Sequence, residues 1–113
     1  MVVDDIVYFY ANYDVLGDIQ TTKVSDEIVV CQGKVTKVKN GLIFFILDNE
    51  TGERKVSEDK LNSFRDFGTS VYAVCDKLLT QGQIISSMLE VLNNRIAQTK
   101  STMSKLNNQF EGL

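Results

Sequence analysis

The sequence predicts an α+β fold: an N-terminal antiparallel β-meander of four to five strands, a short helix, and a long C-terminal amphipathic helix that resembles a coiled coil. Three observations predict it. β-branched and aromatic residues dominate residues 1–56, and an Asn40-Gly41 pair divides them. From residue 71 onward, apolar residues recur in alternate steps of four and three, which is typical of a coiled-coil seam. The 113 residues are therefore predicted to form a single domain, with a sheet part over 1–56 and a helical oligomerisation part over 57–113.

The first strands follow from local composition. Residues 2–10 are rich in β-branched and aromatic side chains and predict a strand, and the turn-forming residues that follow predict a loop over 11–17. Residues 18–24 predict a weaker strand. The Ser25-Asp26 pair then predicts a turn.

The strongest local signal is the Asn40-Gly41 pair, because a two-residue hairpin turn needs positive φ at both positions. It joins a long strand over 27–39, with a bulge or bend expected at Gly33, to a strand over 42–47. Residues 42–47 have no polar alternation, so both faces of this strand are expected to be covered. A second turn leads to a short strand over 53–56.

The C-terminal half predicts helices. Ser57 is followed by two acidic residues, which predicts the N-terminus of a short helix. That helix is expected to carry Leu61 and Phe64 and to stop near Gly68. The next helix is predicted to start at Val71 and to run through the rest of the chain.

The predicted seam of the long helix has apolar residues at ten of its twelve positions. The part before residue 93 is expected to contact both the sheet and a partner chain, and the part after it only a partner chain. Two alternatives stay open: a helical hairpin broken at Gly82, and one helix packed on its own sheet. If the helix is instead continuous and pairs with copies of itself, the chain is a homo-oligomer. Its interface is then predicted to include Leu78, Ile85, Leu89, Leu92, Ile96, Met103, Leu106 and Phe110.

Composition excludes several classes of function. The net charge is −3 and the isoelectric point about 4.8, which disfavours generic nucleic-acid binding. Histidine is absent and only two cysteines are present, so a catalytic site, a metal site and a bound cofactor are not expected. The longest apolar run has six residues, and no secretory signal is visible. The sequence therefore predicts a non-enzymatic cytoplasmic protein without a membrane partner.

Candidate ligand-binding residues fall in two groups. Clustered aromatic rings with a nearby amide and carboxylate suit the recognition of a nucleotide base, although a core strand that enters a polar loop explains them as well. The three arginines suit a phosphate, although each is also an ordinary surface residue. The candidates are Tyr8, Tyr10, Asn12, Tyr13 and Asp14 for the base, and Arg54, Arg65 and Arg95 for the phosphate.

Two hypotheses of function follow. The first is a self-associating binding or assembly protein, in which the helix makes the oligomer and the sheet presents a surface to a partner protein. The second is an oligomeric protein that binds or sequesters a small nucleotide. Small phage-encoded proteins that sequester nucleotide signals in the host cytoplasm are one instance of the second class, by analogy in size and architecture alone.

Overall fold

The computed structural model describes residues 1–13, 24–48, 50–67 and 70–112. It confirms the α+β class: a six-stranded antiparallel sheet precedes one long helix. The sheet order is β4-β3-β2-β1-β6-β5, and each neighbouring pair is antiparallel. The strands are β1 (Ile6–Tyr13), β2 (Val24–Lys39), β3 (Leu42–Leu47), β4 (Arg54–Ser57), β5 (Arg65–Phe67) and β6 (Ser70–Cys75), and the helix is α1 (Gln81–Glu111).

The predicted hairpin between β2 and β3 is confirmed. Asn40 and Gly41 have φ angles of 54° and 75°, as a two-residue turn of this kind requires. The bulge in β2 was expected at Gly33 but lies three residues later, between Val35 and Lys37. Gly33 is instead regularly paired on both sides, and its lack of a side chain allows a close approach: a Cβ atom there would lie 2.5 Å from the carbonyl oxygen of Ile46.

Two of the predicted strand boundaries are wrong. The first strand runs from Ile6 to Tyr13 rather than over 2–10, because its last residues extend the pairing with β2 and β6. Ser25 and Asp26 lie inside β2 rather than in a turn. Residues 11–13 of the loop predicted over 11–17 belong to β1, and Val24 of the weak strand predicted over 18–24 begins β2. The rest of both segments, residues 14–23, lies outside the described residues.

The predicted short helix is also wrong. Only a single 3₁₀ turn forms, at Glu58–Lys60, and the Ser57 side chain does not cap it. Leu61 and Phe64 follow in a turn and irregular chain, and they pack against opposite faces of the sheet. The chain then forms β5, while Gly68, the predicted end of the helix, lies outside the described residues.

The long helix begins ten residues later than predicted, since residues 70–75 form β6. Every residue of this strand except Tyr72 is buried, so the strand has no polar alternation to distinguish it from a helix. The helix starts in a capping box: the Thr80 hydroxyl accepts from the Gln83 amide at 3.2 Å, and the Gln83 side chain accepts from the Thr80 amide at 2.9 Å. Gly82 therefore lies in the first helical turn, and the helical hairpin is excluded.

The two faces of the sheet carry separate cores. The helix covers the outer face through Ile84 and Met88, which pack on β1 and β6. The other face, which we call the inner face, curls on itself, so that residues of both edge strands, β4 and β5, line one cavity. The inner core consists of Val7, Phe9, Ala11, Val35, Ile43, Phe45, Leu47, Val56 and Val74.

Only the first half of α1 contacts the sheet. Its 31 residues make a rod of about 46 Å, whereas the molecule measures 59 × 31 × 30 Å. Arg95 is the last half-buried residue of the helix, and residues 96–111 are all exposed. Among the described residues, no helix is both long and apolar enough to cross a membrane.

Candidate functional site

The inner face contains a cavity of about 220 Å³ between the two edge strands. Strand alternation places Arg54 and Val56 of β4 on this face, together with Arg65 of β5. The aromatic rings of Phe9 and Tyr72 form part of the wall. The structure thus brings together two of the three arginines that the sequence proposed for a phosphate.

Arg54 is held in place on both sides. Its Nε donates to one carboxylate oxygen of Glu50 at 2.7 Å, and its Nη2 donates to the other at 2.5 Å. This bidentate pair fixes the plane of the guanidinium. The guanidinium carbon lies 5.4 Å from the centre of the Phe9 ring, within the range of a cation–π contact.

Arg65 lies on the opposite wall of the cavity. Its guanidinium carbon is 5.1 Å from the centre of the Tyr72 ring, its cross-strand neighbour. The Nε atom of Arg65 is buried and makes no hydrogen bond to any described residue. A buried donor without a partner costs about 1–3 kcal/mol, and more when it is charged. Arg65 is therefore the group in this cavity whose charge lacks compensation by the described protein.

Two aromatic residues of this site were not among the sequence candidates. Phe9 and Tyr72 stack on each other with ring centroids 6.1 Å apart, and each ring contacts one of the two arginines. The alternation of side chains along β1 carries part of the signal, because it puts Phe9 on the opposite face from Tyr8 and Tyr10. The position of Tyr72 was hidden, since its strand was predicted as a helix.

The proposed base-binding cluster does not form one site. Tyr10 is fully buried on the outer face, where its hydroxyl donates to the Lys77 carbonyl at 3.1 Å and accepts from the Leu79 amide at 2.8 Å. The Asn12 side-chain oxygen accepts from the Val71 amide at 2.8 Å. Both side chains connect β1 to the segment around β6, and neither lines the arginine cavity.

Of the other members of that cluster, Tyr8 is the one whose side chain the structure describes. Tyr8 lines an open depression of about 640 Å³ beside Asp4, Asp5 and Asp76. The negative charges of these carboxylates would repel a phosphate there. Asp14 lies outside the described residues. For Tyr13 the structure describes the backbone alone, at the end of β1.

Arg95, the third candidate arginine, lies on the outer face. Its Nη2 forms an ion pair with Asp66 of β5 and also donates to the Ser70 carbonyl at 3.5 Å. Asp66 follows Arg65 in the strand, so alternation puts the two arginines on opposite sides of the sheet. Arg95 fastens the helix to the sheet edge rather than joining the cavity.

A second candidate surface is the apolar stripe along α1, which we define by Ile85, Leu89, Ile96, Met103, Leu106 and Phe110. All six side chains are exposed, with Ile96 at 51% and Phe110 at 77%. Of the other predicted interface residues, Leu92 is half-buried against the sheet, and Leu78 lies in the loop before the helix. From Ile85 onward the predicted seam positions lie on the helix, whereas Val71, Cys75 and Leu78 lie before it.

Cys75 is a free, buried thiol. Burial raises the pKa of the Cys75 thiol to about 11, with a smaller contribution from the nearby Asp76 carboxylate. A thiol with a raised pKa forms little thiolate at neutral pH and is a poor nucleophile. Cys75 contributes to the outer core instead.

No family model, curated protein or solved structure matches this chain in the comparisons made with each.

Proposed function

We propose that this chain is a non-enzymatic, self-associating binding protein. In this proposal, the apolar stripe of α1 pairs with the same stripe of a second copy, and the sheet part presents the binding surface. The observation that carries it is the second half of α1, which extends beyond the sheet domain. Its large apolar side chains stay exposed and recur at coiled-coil spacing.

The spacing supports a helical partner rather than a flat one. Together with Leu92 and Thr99, the stripe residues follow alternate steps of four and three from Ile85 to Phe110, and Thr99 is the only polar residue of this series. This period keeps one narrow seam in contact along two helices that wind around each other. The opposite positions are small or polar, as Asn94, Ser101 and Asn108 show.

The charges support a second copy of this chain as the partner. Positions beside the stripe carry little charge: Lys100 is one exception, and Arg95 already pairs with Asp66. Paired helices that select a different chain commonly do so through charged flanks. Sparse charge on this helix gives no preference for an acidic or a basic partner.

The free energy gained by burying these side chains, set against the cost of association, predicts pairing of moderate strength. Complete burial of a side chain of this size contributes about 1.5–3 kcal/mol, and those of the stripe are already partly covered. The four after residue 95 would then contribute on the order of 1–2 kcal/mol each per copy, against an association cost of roughly 4–15 kcal/mol. Ile85 and Leu89 extend the contact, so we expect a dissociation constant in the micromolar range.

A single charge in the stripe tests the proposal. Met103→Lys places an ammonium group in the apolar seam, and we expect it to raise the dissociation constant at least tenfold. Sedimentation equilibrium of the full chain measures this constant directly. Circular dichroism should stay unchanged, since Met103 is exposed and contacts no core residue.

Ser101→Lys is the matched control, because it adds the same charge two residues away on the opposite side of the helix. We expect it to associate like the native chain. A native chain that sediments as a monomer throughout the micromolar range would contradict the proposal, and so would equal effects of the two substitutions.

A further inference from the structure

We propose that the cavity between β4 and β5 binds the phosphate group of a small phosphate monoester, held between Arg54 and Arg65. This site is independent of helix pairing, so a monomeric chain can still bind and an oligomer can still fail to bind. It differs from the nucleotide site that the sequence suggested, because Tyr8, Tyr10 and Asn12, which were proposed for the base, lie on other surfaces.

Charge is the first argument. Arg54 and Arg65 both line the cavity. Glu50 pairs with Arg54, whereas Arg65 forms no ion pair with any described residue. A phosphate monoester carries about −1.5 to −2 at neutral pH and three acceptor oxygens, so it can accept hydrogen bonds from both guanidinium groups at once.

The state of Arg65 is the second argument. Its Nε atom is shielded from solvent without a hydrogen-bond partner among the described residues, so part of the charge has lost its hydration. A dianion in the cavity would compensate that charge through the remaining guanidinium nitrogens. Arg54 is already oriented by Glu50, so little side-chain order has to be gained on binding.

Size and wall chemistry limit the ligand. The cavity of about 220 Å³ is smaller than the ~300–1,000 Å³ typical of sites for drug-sized molecules. It therefore takes the phosphate and the adjoining part of its carrier rather than a dinucleotide. Phe9 and Tyr72 stack on each other and each ring contacts one arginine, so they help to position the two guanidinium groups.

The three arginines allow a direct test. In the full chain labelled with ¹⁵N-arginine, the Nε–Hε region of a correlation spectrum contains one signal for each of Arg54, Arg65 and Arg95. We would titrate the protein with inorganic phosphate, adenosine monophosphate and adenosine at constant ionic strength set by chloride. We expect saturable shifts of the Arg54 and Arg65 signals with the two phosphates, no shift with adenosine, and no shift of Arg95.

The two phosphates identify the source of the ligand. Tighter binding of adenosine monophosphate indicates an organic monoester, and equal binding indicates free phosphate as the natural ligand. Arg65→Gln should weaken phosphate binding at least tenfold. Lys105→Gln removes one positive charge from the exposed end of α1 and should leave binding unchanged.

Three results would overturn the proposal: no saturable shift with either phosphate at millimolar concentration, equal shifts of all three arginine signals, or equal losses from Arg65→Gln and Lys105→Gln. The titration of the native chain is decisive by itself, so the test does not depend on whether Arg65→Gln folds.

Discussion

At the scale of single residues, the Tyr10 hydroxyl connects the sheet to the loop that leads into the helix. It satisfies one backbone carbonyl and one backbone amide of that loop, at Lys77 and Leu79. Burial raises the pKa of Tyr10 above its usual value of 10.0, and the hydrogen bond from the Leu79 amide opposes this effect in part. The phenol therefore stays protonated at neutral pH and can donate and accept at once.

Tyr10→Phe removes this hydroxyl and keeps the ring. The Leu79 amide then loses its partner in a partly buried place, so we expect the free energy of unfolding to fall by about 1–3 kcal/mol. Urea denaturation measures the change through the midpoint of unfolding. Tyr8→Phe is the control, because the Tyr8 hydroxyl makes none of the hydrogen bonds found among described residues; similar losses in both variants would contradict the role given to Tyr10.

At the scale of elements, the turn between β2 and β3 sets the register of the inner face. It aligns Ile43 and Phe45 of β3 with the core, and β3 in turn positions β4, which carries Arg54. The geometry of one two-residue turn thus determines the placement of one wall of the candidate phosphate site. The opposite wall depends on β5 and on its pairing with β6.

Gly41→Val should destabilise the chain by about 1–2 kcal/mol, because a β-branched residue resists a positive φ angle. The added side chain itself meets open space, so the backbone accounts for the whole effect. Gly52→Val is the matched control, since Gly52 is equally open and has no positive φ. Thermal unfolding measures the melting temperatures of the two variants. Equal shifts would show that the positive φ at Gly41 does not cause the loss of stability.

At the scale of the whole molecule, the helix is longer than the body that it packs on. Its first turns bury Ile84 and Met88, and Arg95 makes the last contact through Asp66. Beyond that point the helix leaves the sheet domain and adds nothing to its core. Folding of the domain and association through the tail are therefore expected to be separable.

Truncation after Gln98 tests this separation. It keeps the contact between Arg95 and Asp66 but removes Met103, Leu106 and Phe110. At a concentration where the intact chain is monomeric, we expect the stability to change by less than about 0.5 kcal/mol, as for other losses of exposed residues. Sedimentation should show a dissociation constant raised at least tenfold; unfolding of the sheet on truncation would mean that the tail packs on its own domain.

The local features of this chain were predictable because they depend on neighbouring residues alone. The Asn40-Gly41 turn follows from the φ angles that these residues tolerate, and the alternation in β1 follows from strand geometry. The exposed stripe from Ile85 to Phe110 follows from helical periodicity. In these places the sequence determined the structure without reference to the rest of the fold.

The tertiary structure alone decided which segments become strands in the middle of the sheet and which side chains meet. Residues 70–75 are buried on both faces, so their apolar run fits a helix and a strand equally well. Pairing with β1 on one side and with β5 on the other selects the strand. Arg54 and Arg65 line the same cavity because their strands are the two edges of a sheet that curls, which no local pattern records. Local patterns encode dihedral preferences and faces, whereas contacts between distant segments depend on the order of the strands.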